Sequence, residues 1–164
     1  MNGVPLPSDH GFPARIIVPG IYGMKNVKWL KELELVDYDY KGHWQKEGWP
    51  DTAQVKLSSR IDLPGDRETI TTQPYTIQGI AFGGLHRIKK VEVSVDGGNS
   101  WQQATILPRL SPYSWIFWTY EWAISSKGEY TVMVRAINEQ GLSQTLQPLT
   151  LRPNLTVFMP LPFK

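Results

Sequence analysis

Short alternating runs of apolar and polar residues, set off by turn residues, leave this chain few ways to fold. In "IKKVEVSVDGGNSWQQATIL" (88–107), Val91, Val93 and Val95 fall on one side and Lys90, Glu92 and Ser94 on the other. Asp96 and Gly97 supply the positive-φ residues of a hairpin turn. The pattern predicts strands over 88–95 and 101–107. Further runs stand at "YTIQGIAF" (75–82), "WIFWTYEW" (115–122), "EYTVMVRAI" (129–137) and "LQPLTL" (146–151). In the third of these, Tyr130, Val132, Val134 and Ala136 share a face. Such spacing points to a mostly β fold, an immunoglobulin-like antiparallel β-sandwich. No stretch of helical period competes with it.

The first part of the chain is looser. The residues predict a strand over 14–18, a short helix or turn over 25–33, an alternating strand over 33–40 and another strand over 53–58. "DLPGD" (62–66) carries Pro and Gly in turn positions and reads as a boundary. The expected division is therefore 1–65, then the sandwich over 66–152, then an apolar tail over 153–164. The tail reads as a packed strap or a partner contact.

Composition closes off several functions. A net charge of +2 with no run of like charges argues against nucleic acid and anionic membranes as partners. No apolar run is long enough to span a bilayer, and the first residues lack the pattern of an export signal. With no cysteine, the chain offers no disulfide and no thiolate, whether nucleophile or metal ligand. His10, His43 and His86 are far apart and have no metal-ligand spacing, so no metal ligand is expected.

Three groups of residues could carry chemistry. His10, Arg15 and Lys28 cluster around "SDHGFPARIIVPG" and the glycine-containing turn "PGIYGMKN", a set of donors suited to an anion. The plainer reading has His10 capping a turn and Arg15 paired with Asp9. Asp37 and Asp39 lie two apart, as acid–base carboxylates or, more simply, on a solvated strand face. Trp118 and Trp122 share a face of one strand and Trp115 takes the other. They form a core and an interface, or else a platform for a sugar or proline-rich ligand.

The segment "MNGVPLPSDHGFPARIIVPGIYGMKNVKWL", followed by "GHWQKEGW" and "SSRIDLP", resembles the end of the molybdopterin-binding domain of the sulfite oxidase family. The rest, from "IQGIAFGGLHRIKKVEVSVDGGNSWQQATI" to "GEYTVMVRAINEQGLSQ", resembles that family's immunoglobulin-like dimerisation domain. The resemblance implies an incomplete α+β molybdopterin-domain segment ahead of the sandwich. It implies a molybdenum-molybdopterin cofactor, held here by His10, Arg15, Asn26, Val27 and Lys28. Gly11, Gly20 and Gly23 would allow close backbone approach.

It further implies a substrate pocket touched by Trp49, where the vertebrate enzymes have a tyrosine, and by either His86 or Arg87. An indole has no ionisable hydroxyl, which puts a proton-shuttling role at Trp49 in doubt. The family's molybdenum takes one Cys thiolate, which this chain lacks, so no catalytic residue is assigned and no activity is expected of it alone. The implied function is the C-terminal part or subunit of an oxidoreductase that transfers an oxygen atom on a small oxyanion such as sulfite. The implied partners are a second copy and a thiolate-bearing half-domain, whether in a separate polypeptide or in a longer form of this one. The family also makes an extracytoplasmic location plausible. Two other readings stand beside it: a non-catalytic immunoglobulin-like binding module with an aromatic ligand platform, and, far behind, a hydrolase built on Asp37 and Asp39.

Overall fold

A computed structural model describes residues 3–71 and 74–145 and the backbone of 161–163. The chain divides into two units, Met1–Val55 and Lys56–Lys164. The second is the sandwich. Its strands are β1 (Ser58–Leu63), β2 (Tyr75–Phe82), β3 (Ile88–Ser94), β4 (Gln102–Gln103), β5 (Thr105–Ile106), β6 (Ile116–Trp122), β7 (Tyr130–Asn138) and β8 (Leu161–Phe163). They form two four-stranded sheets, in the orders β1-β2-β6-β5 and β4-β3-β7-β8. Every pairing is antiparallel.

Period-two alternation builds the core between the sheets. Ile77 and Ala81 of β2, Ile116, Trp118 and Trp122 of β6, Val91 and Val93 of β3, and Val132, Val134 and Ala136 of β7 are all buried. Gly79 makes room for the largest of them. A Cβ there would lie 2.8 Å from Trp118 Cζ2 and 2.0 Å from the Arg60 carbonyl oxygen. Only a residue without a side chain lets β1 and the indole approach β2 this closely. A buried hydrogen bond of 2.6 Å from the Ser59 hydroxyl to Gln144 Oε1 ties β1 to the residues after β7.

The structure corrects several sequence expectations. The run 101–107 is not one strand. Gln102–Gln103 pairs with β3, Ala104 is buried at the crossing, and Thr105–Ile106 pairs with β6 in the other sheet. A small buried residue is what such a corner needs. The turn at 62–66 is not the boundary between the units: β1 precedes it and pairs with β2, so the division falls at Val55/Lys56. No strand forms over 33–40, where every residue is exposed. The strand expected over 53–58 is replaced by a short pairing of residues 53–55 with 20–22, and β1 starts at Ser58. The 146–151 strand lies outside the described residues, as does the tail apart from Leu161–Phe163.

The β3–β4 hairpin has a specific acid lock. The Asp96 carboxylate accepts from the Ser100 hydroxyl at 2.6 Å, the Ser100 amide at 2.9 Å and the Ser94 hydroxyl at 2.7 Å. These bonds, Ser100's first, hold its pKa down from 3.8 to about 2. A depressed carboxylate stabilises the fold above its unfolded pKa and loses that contribution as pH falls through the folded value. Asp96→Asn should therefore lower the melting temperature at pH 7. The gap to wild type should close as the pH drops from 3.8 toward about 2. Thermal melts across that range check this; a gap undiminished at the acid end would refute it.

Candidate functional site

In the first unit, two segments close on each other through backbone bonds. The amide of Ile16 donates to the Val27 carbonyl at 3.0 Å and that of Leu30 to the Ala14 carbonyl at 2.9 Å. Asn26 pins the far end: its Oδ1 accepts from the Val18 amide at 2.8 Å. At the near end a 3-10 turn, Ser8–His10, stops at Gly11, whose φ of 112° favours glycine. A Cβ on Gly11 would stand 3.1 Å from Lys28 Cβ and 3.3 Å from Arg15 Cβ. Gly11 is thus where His10, Arg15 and Lys28 are drawn together. Gly23, by contrast, has open space where a side chain would go.

Backbone oxygens, not carboxylates, engage the cations. Lys28 Nζ donates to the Asp9 carbonyl at 2.8 Å and stands 5.6 Å from the centroid of the Trp29 ring. The Trp29 indole donates to the Ser8 carbonyl at 2.8 Å. Arg15 reaches the His10 and Asn26 carbonyls only at 3.4 and 3.5 Å, the outer limit of hydrogen bonding. Its Nε is buried and has no partner among the described residues. Asp9 instead faces His10, with Nε2 3.6 Å from Oδ2, so the expected Arg15–Asp9 pair does not form. A guanidinium held by two long bonds, with one buried N–H unsatisfied, has donors to spare for an anion. The residues present therefore fit an oxyanion such as a phosphate group. Sequence reading missed Ser8 and Trp29 as parts of this corner, and gave Asp9 to Arg15 rather than to Lys28 and His10. The aromatic position directly after Lys28 was the one signal for Trp29.

The remaining candidates are dispersed within their own units. Trp49 follows the single-turn helix α1 (His43–Lys46) and is half-buried. It meets Tyr22 edge-on at 6.3 Å and Trp44 at 5.7 Å between ring centroids. In the second unit His86 and Arg87 are both exposed on the β2–β3 connection. The His86 amide donates to the Gly83 carbonyl at 3.0 Å. A Cβ on Gly83 would lie 2.1 Å from the His86 oxygen, so that turn requires glycine. Asp37 and Asp39 are exposed, and Asp39 lies 3.3 Å from Lys41. Asp51, hydrogen-bonded to Lys41, is the main reason that lysine's pKa is raised. Among the described residues no group of three or more His, Cys, Asp or Glu could hold a metal ion, and no helix is long and apolar enough to cross a membrane.

The aromatic platform does not form. Trp118 and Trp122 are in the core, Trp122 edge-on to Tyr130 at 4.9 Å, and only Trp115 is exposed.

Comparison with known proteins bears on both units. Residues 1–44 match the oxidoreductase molybdopterin binding domain and residues 51–161 the Mo-co oxidoreductase dimerisation domain. Mitochondrial sulfite oxidase of Mus musculus is 31% identical over 93% of this chain and 32% of its own length. Inducible nitrate reductase [NADH] 1 of Glycine max is 33% identical over 84% of this chain and 20% of its own. The crystal structure of the sulfane dehydrogenase SoxCD from Paracoccus pantotrophus superposes with a TM-score of 0.77 at 30% identity, covering 87% of this chain and 40% of that one. The chain spans about a third of the length of the sulfite oxidases it matches.

Proposed function

Since this chain belongs to the sulfite oxidase family of molybdopterin oxidoreductases, we propose that it supplies part of the cofactor pocket and the dimer contact of an oxygen-atom-transfer enzyme. The substrate class is a small oxyanion such as sulfite. The observation that carries the cofactor part of this reading is the Arg15 corner: a buried donor without an acceptor among the described residues, beside Lys28 and His10, at a glycine of positive φ where a Cβ would crowd Lys28 and Arg15. When bound, the cofactor supplies the two-electron redox chemistry of the reaction.

The chain's own residues bind and orient it. Arg15 and Lys28 meet the negative charge of its phosphate end, and charge-assisted bonds of this kind are stronger than neutral ones. Asn26 and Val27 hold the backbone that positions Lys28. His10 lies at the rim, where its ring can donate or accept. Trp49, rigidly packed by Tyr22 and Trp44, shapes a substrate wall without a titratable group. His86 or Arg87 adds a donor or positive charge for the oxyanion. The thiolate ligand comes from a segment outside this cysteine-free sequence.

Producing the chain together with a thiolate-bearing molybdopterin half-domain of the family tests the proposal. The expected result is a stable complex with close to one molybdenum per pair of parts, able to oxidise sulfite with an artificial acceptor. A complex that forms without retaining molybdenum would reject the pocket assignment. Full molybdenum with no turnover of sulfite would reject the substrate class.

A further inference from the structure

Between the two backbone bonds that close the corner of the first unit, one residue is extra. A regular antiparallel pair that bonds Ile16 to Val27 would next bond Ala14 to Trp29. Here the Ile16 amide donates to the Val27 carbonyl at 3.0 Å, but it is the Leu30 amide that donates to the Ala14 carbonyl, at 2.9 Å. The segment 27–30 therefore bulges at Lys28 and Trp29. Trp29 takes up the bulge with a φ of 53°, a left-handed conformation that glycine adopts freely and a bulky side chain seldom does. Burial does not offset that strain, since Trp29 is 55% exposed.

The side chains at the bulge are both fastened to one short turn. The Trp29 indole N–H donates to the Ser8 carbonyl at 2.8 Å, and Lys28 Nζ donates to the Asp9 carbonyl at 2.8 Å. The 3-10 turn Ser8–His10 that supplies these oxygens ends at the buried Gly11, which leaves no slack against Lys28: a Cβ there would lie 3.1 Å from Lys28 Cβ and 3.2 Å from its Cα. The ammonium also stands 5.6 Å from the centroid of the Trp29 ring, within the range of a cation–π contact. The Asp9 carbonyl takes one of the three N–H donors of the ammonium, which leaves it able to meet an anion. A bulky residue held in a strained conformation, exposed, and using its polar group to anchor its neighbour's turn is a device for placing that neighbour.

We infer that Trp29 is the positioning residue of the cation corner: its left-handed backbone and its indole together hold the Lys28 ammonium where, with Arg15, it meets an anion such as a phosphate group. Trp29 itself does not touch the anion. The inference rests on the anion reading of the corner given above and adds to it a residue that acts only through Lys28. A lysine side chain is long and flexible, and ordering it on binding weakens the grip. A ring and a fixed turn that confine it beforehand remove part of that loss. Glycine at position 29 would fit the bulge better and place Lys28 worse, so fold and anion binding should part company on substitution.

The test titrates the full isotope-labelled chain with inorganic phosphate and follows the Gly11 amide by NMR. Hydrogen exchange of the Ile16 and Leu30 amides, the two that bracket the bulge, reports whether the corner is folded. Wild type should show a saturable shift. Trp29→Gly should keep or increase the protection of both amides, because glycine accepts the positive φ without strain. It should nonetheless raise the phosphate dissociation constant roughly 3- to 10-fold, the combined effect of one exposed cation–π contact and one hydrogen bond. Trp29→Phe keeps a ring face and loses the N–H, so it should fall between the two. In a Lys28→Met background, Trp29→Gly should bring no further loss, as expected of a residue that acts through Lys28. Loss of protection in step with loss of affinity, or a further loss in the Lys28→Met background, would make Trp29 a bracing residue and overturn the inference. Wild-type affinity in Trp29→Gly would overturn it too, and leave the anion site standing. A wild-type chain whose Gly11 signal ignores phosphate would overturn the anion site, and the role of Trp29 with it.

Discussion

Trp118→Ala is expected to cost the sandwich about 3–5 kcal/mol, the range for truncating a fully buried tryptophan. The indole is wholly inaccessible and sits against Gly79, with Ile106 as its cross-strand partner on β5. The surrounding core is Ile77, Val91, Val93, Val132, Val134 and Ala136, all fixed on paired strands. Strands locked by ladder bonds on both sides relax poorly into a cavity, which favours the upper part of that range. Against a total stability of roughly 5–15 kcal/mol, the variant should be partly unfolded at ambient temperature or melt on the order of 15–30 °C lower.

One feature of the site pulls the other way. The indole Nε1 is buried with no hydrogen-bond partner among the described residues, a state that costs about 1–3 kcal/mol. Trp118→Phe removes that donor and keeps most of the ring volume, so its net cost should be small, within about 1.5 kcal/mol. Urea unfolding of both variants separates the two terms. A Trp118→Ala protein within about 1 kcal/mol of wild type would refute the central position given to this residue. A Trp118→Phe as costly as the alanine variant would mean that the N–H has an acceptor after all.

How much of this was legible in the sequence depends on what each pattern encodes. Alternation states which residues share a face, and it located β2 at 75–82, with β3 and β6 each one residue off at one end and β7 shifted by one residue at both. It does not state which strand lies alongside. The run 33–40 alternates over Val36, Tyr38 and Tyr40, yet it pairs with no strand among the described residues and stays exposed. The 101–107 run was legible as extended chain, but its exchange of sheets at Ala104 depends on pairings with β3 and β6 that no local pattern records. Burial was misjudged where polar residues are covered by their own turn or partners. Glu92 and Ser94, read as the polar face of β3, are both buried. Burial raises the Glu92 pKa, but bonds from Lys90 and Arg135 more than offset it and leave it lowered.

At the cation corner, the residue types announced an anion site, and Gly11 announced close approach. The partners could not be read, because they are main-chain carbonyls of residues 8–10 and 26. Every residue carries such an oxygen, and only the fold decides which ones are aimed inward.

That corner sets the last expected result. Arg15→Ala should lower molybdenum retention in the assembled enzyme far more than Asp37→Ala does. The role proposed for Arg15 is a charge-assisted grip made with donors that the protein itself leaves unused: a buried Nε, and two terminal nitrogens on bonds of 3.4 and 3.5 Å. Removing one partner of a buried, hydrogen-bonded charge pair costs about 2–4 kcal/mol, on the order of 30- to 1,000-fold in affinity. Asp37 is exposed and remote in sequence, and its loss should change little. Elemental analysis of molybdenum per protein measures the difference. Loss of folding could imitate it, so a second readout uses the unloaded chain. The indole N–H of Trp29, bonded to the Ser8 carbonyl beside Lys28, should shift in the NMR spectrum on titration with inorganic phosphate, and Arg15→Ala should weaken that response. Arg15→Lys keeps the charge and loses the planar fork, so it should fall between the two. Equal molybdenum content in the Arg15→Ala and Asp37→Ala proteins, with an unchanged phosphate response, would leave Arg15 a structural residue that braces residues 10 and 26 and nothing more.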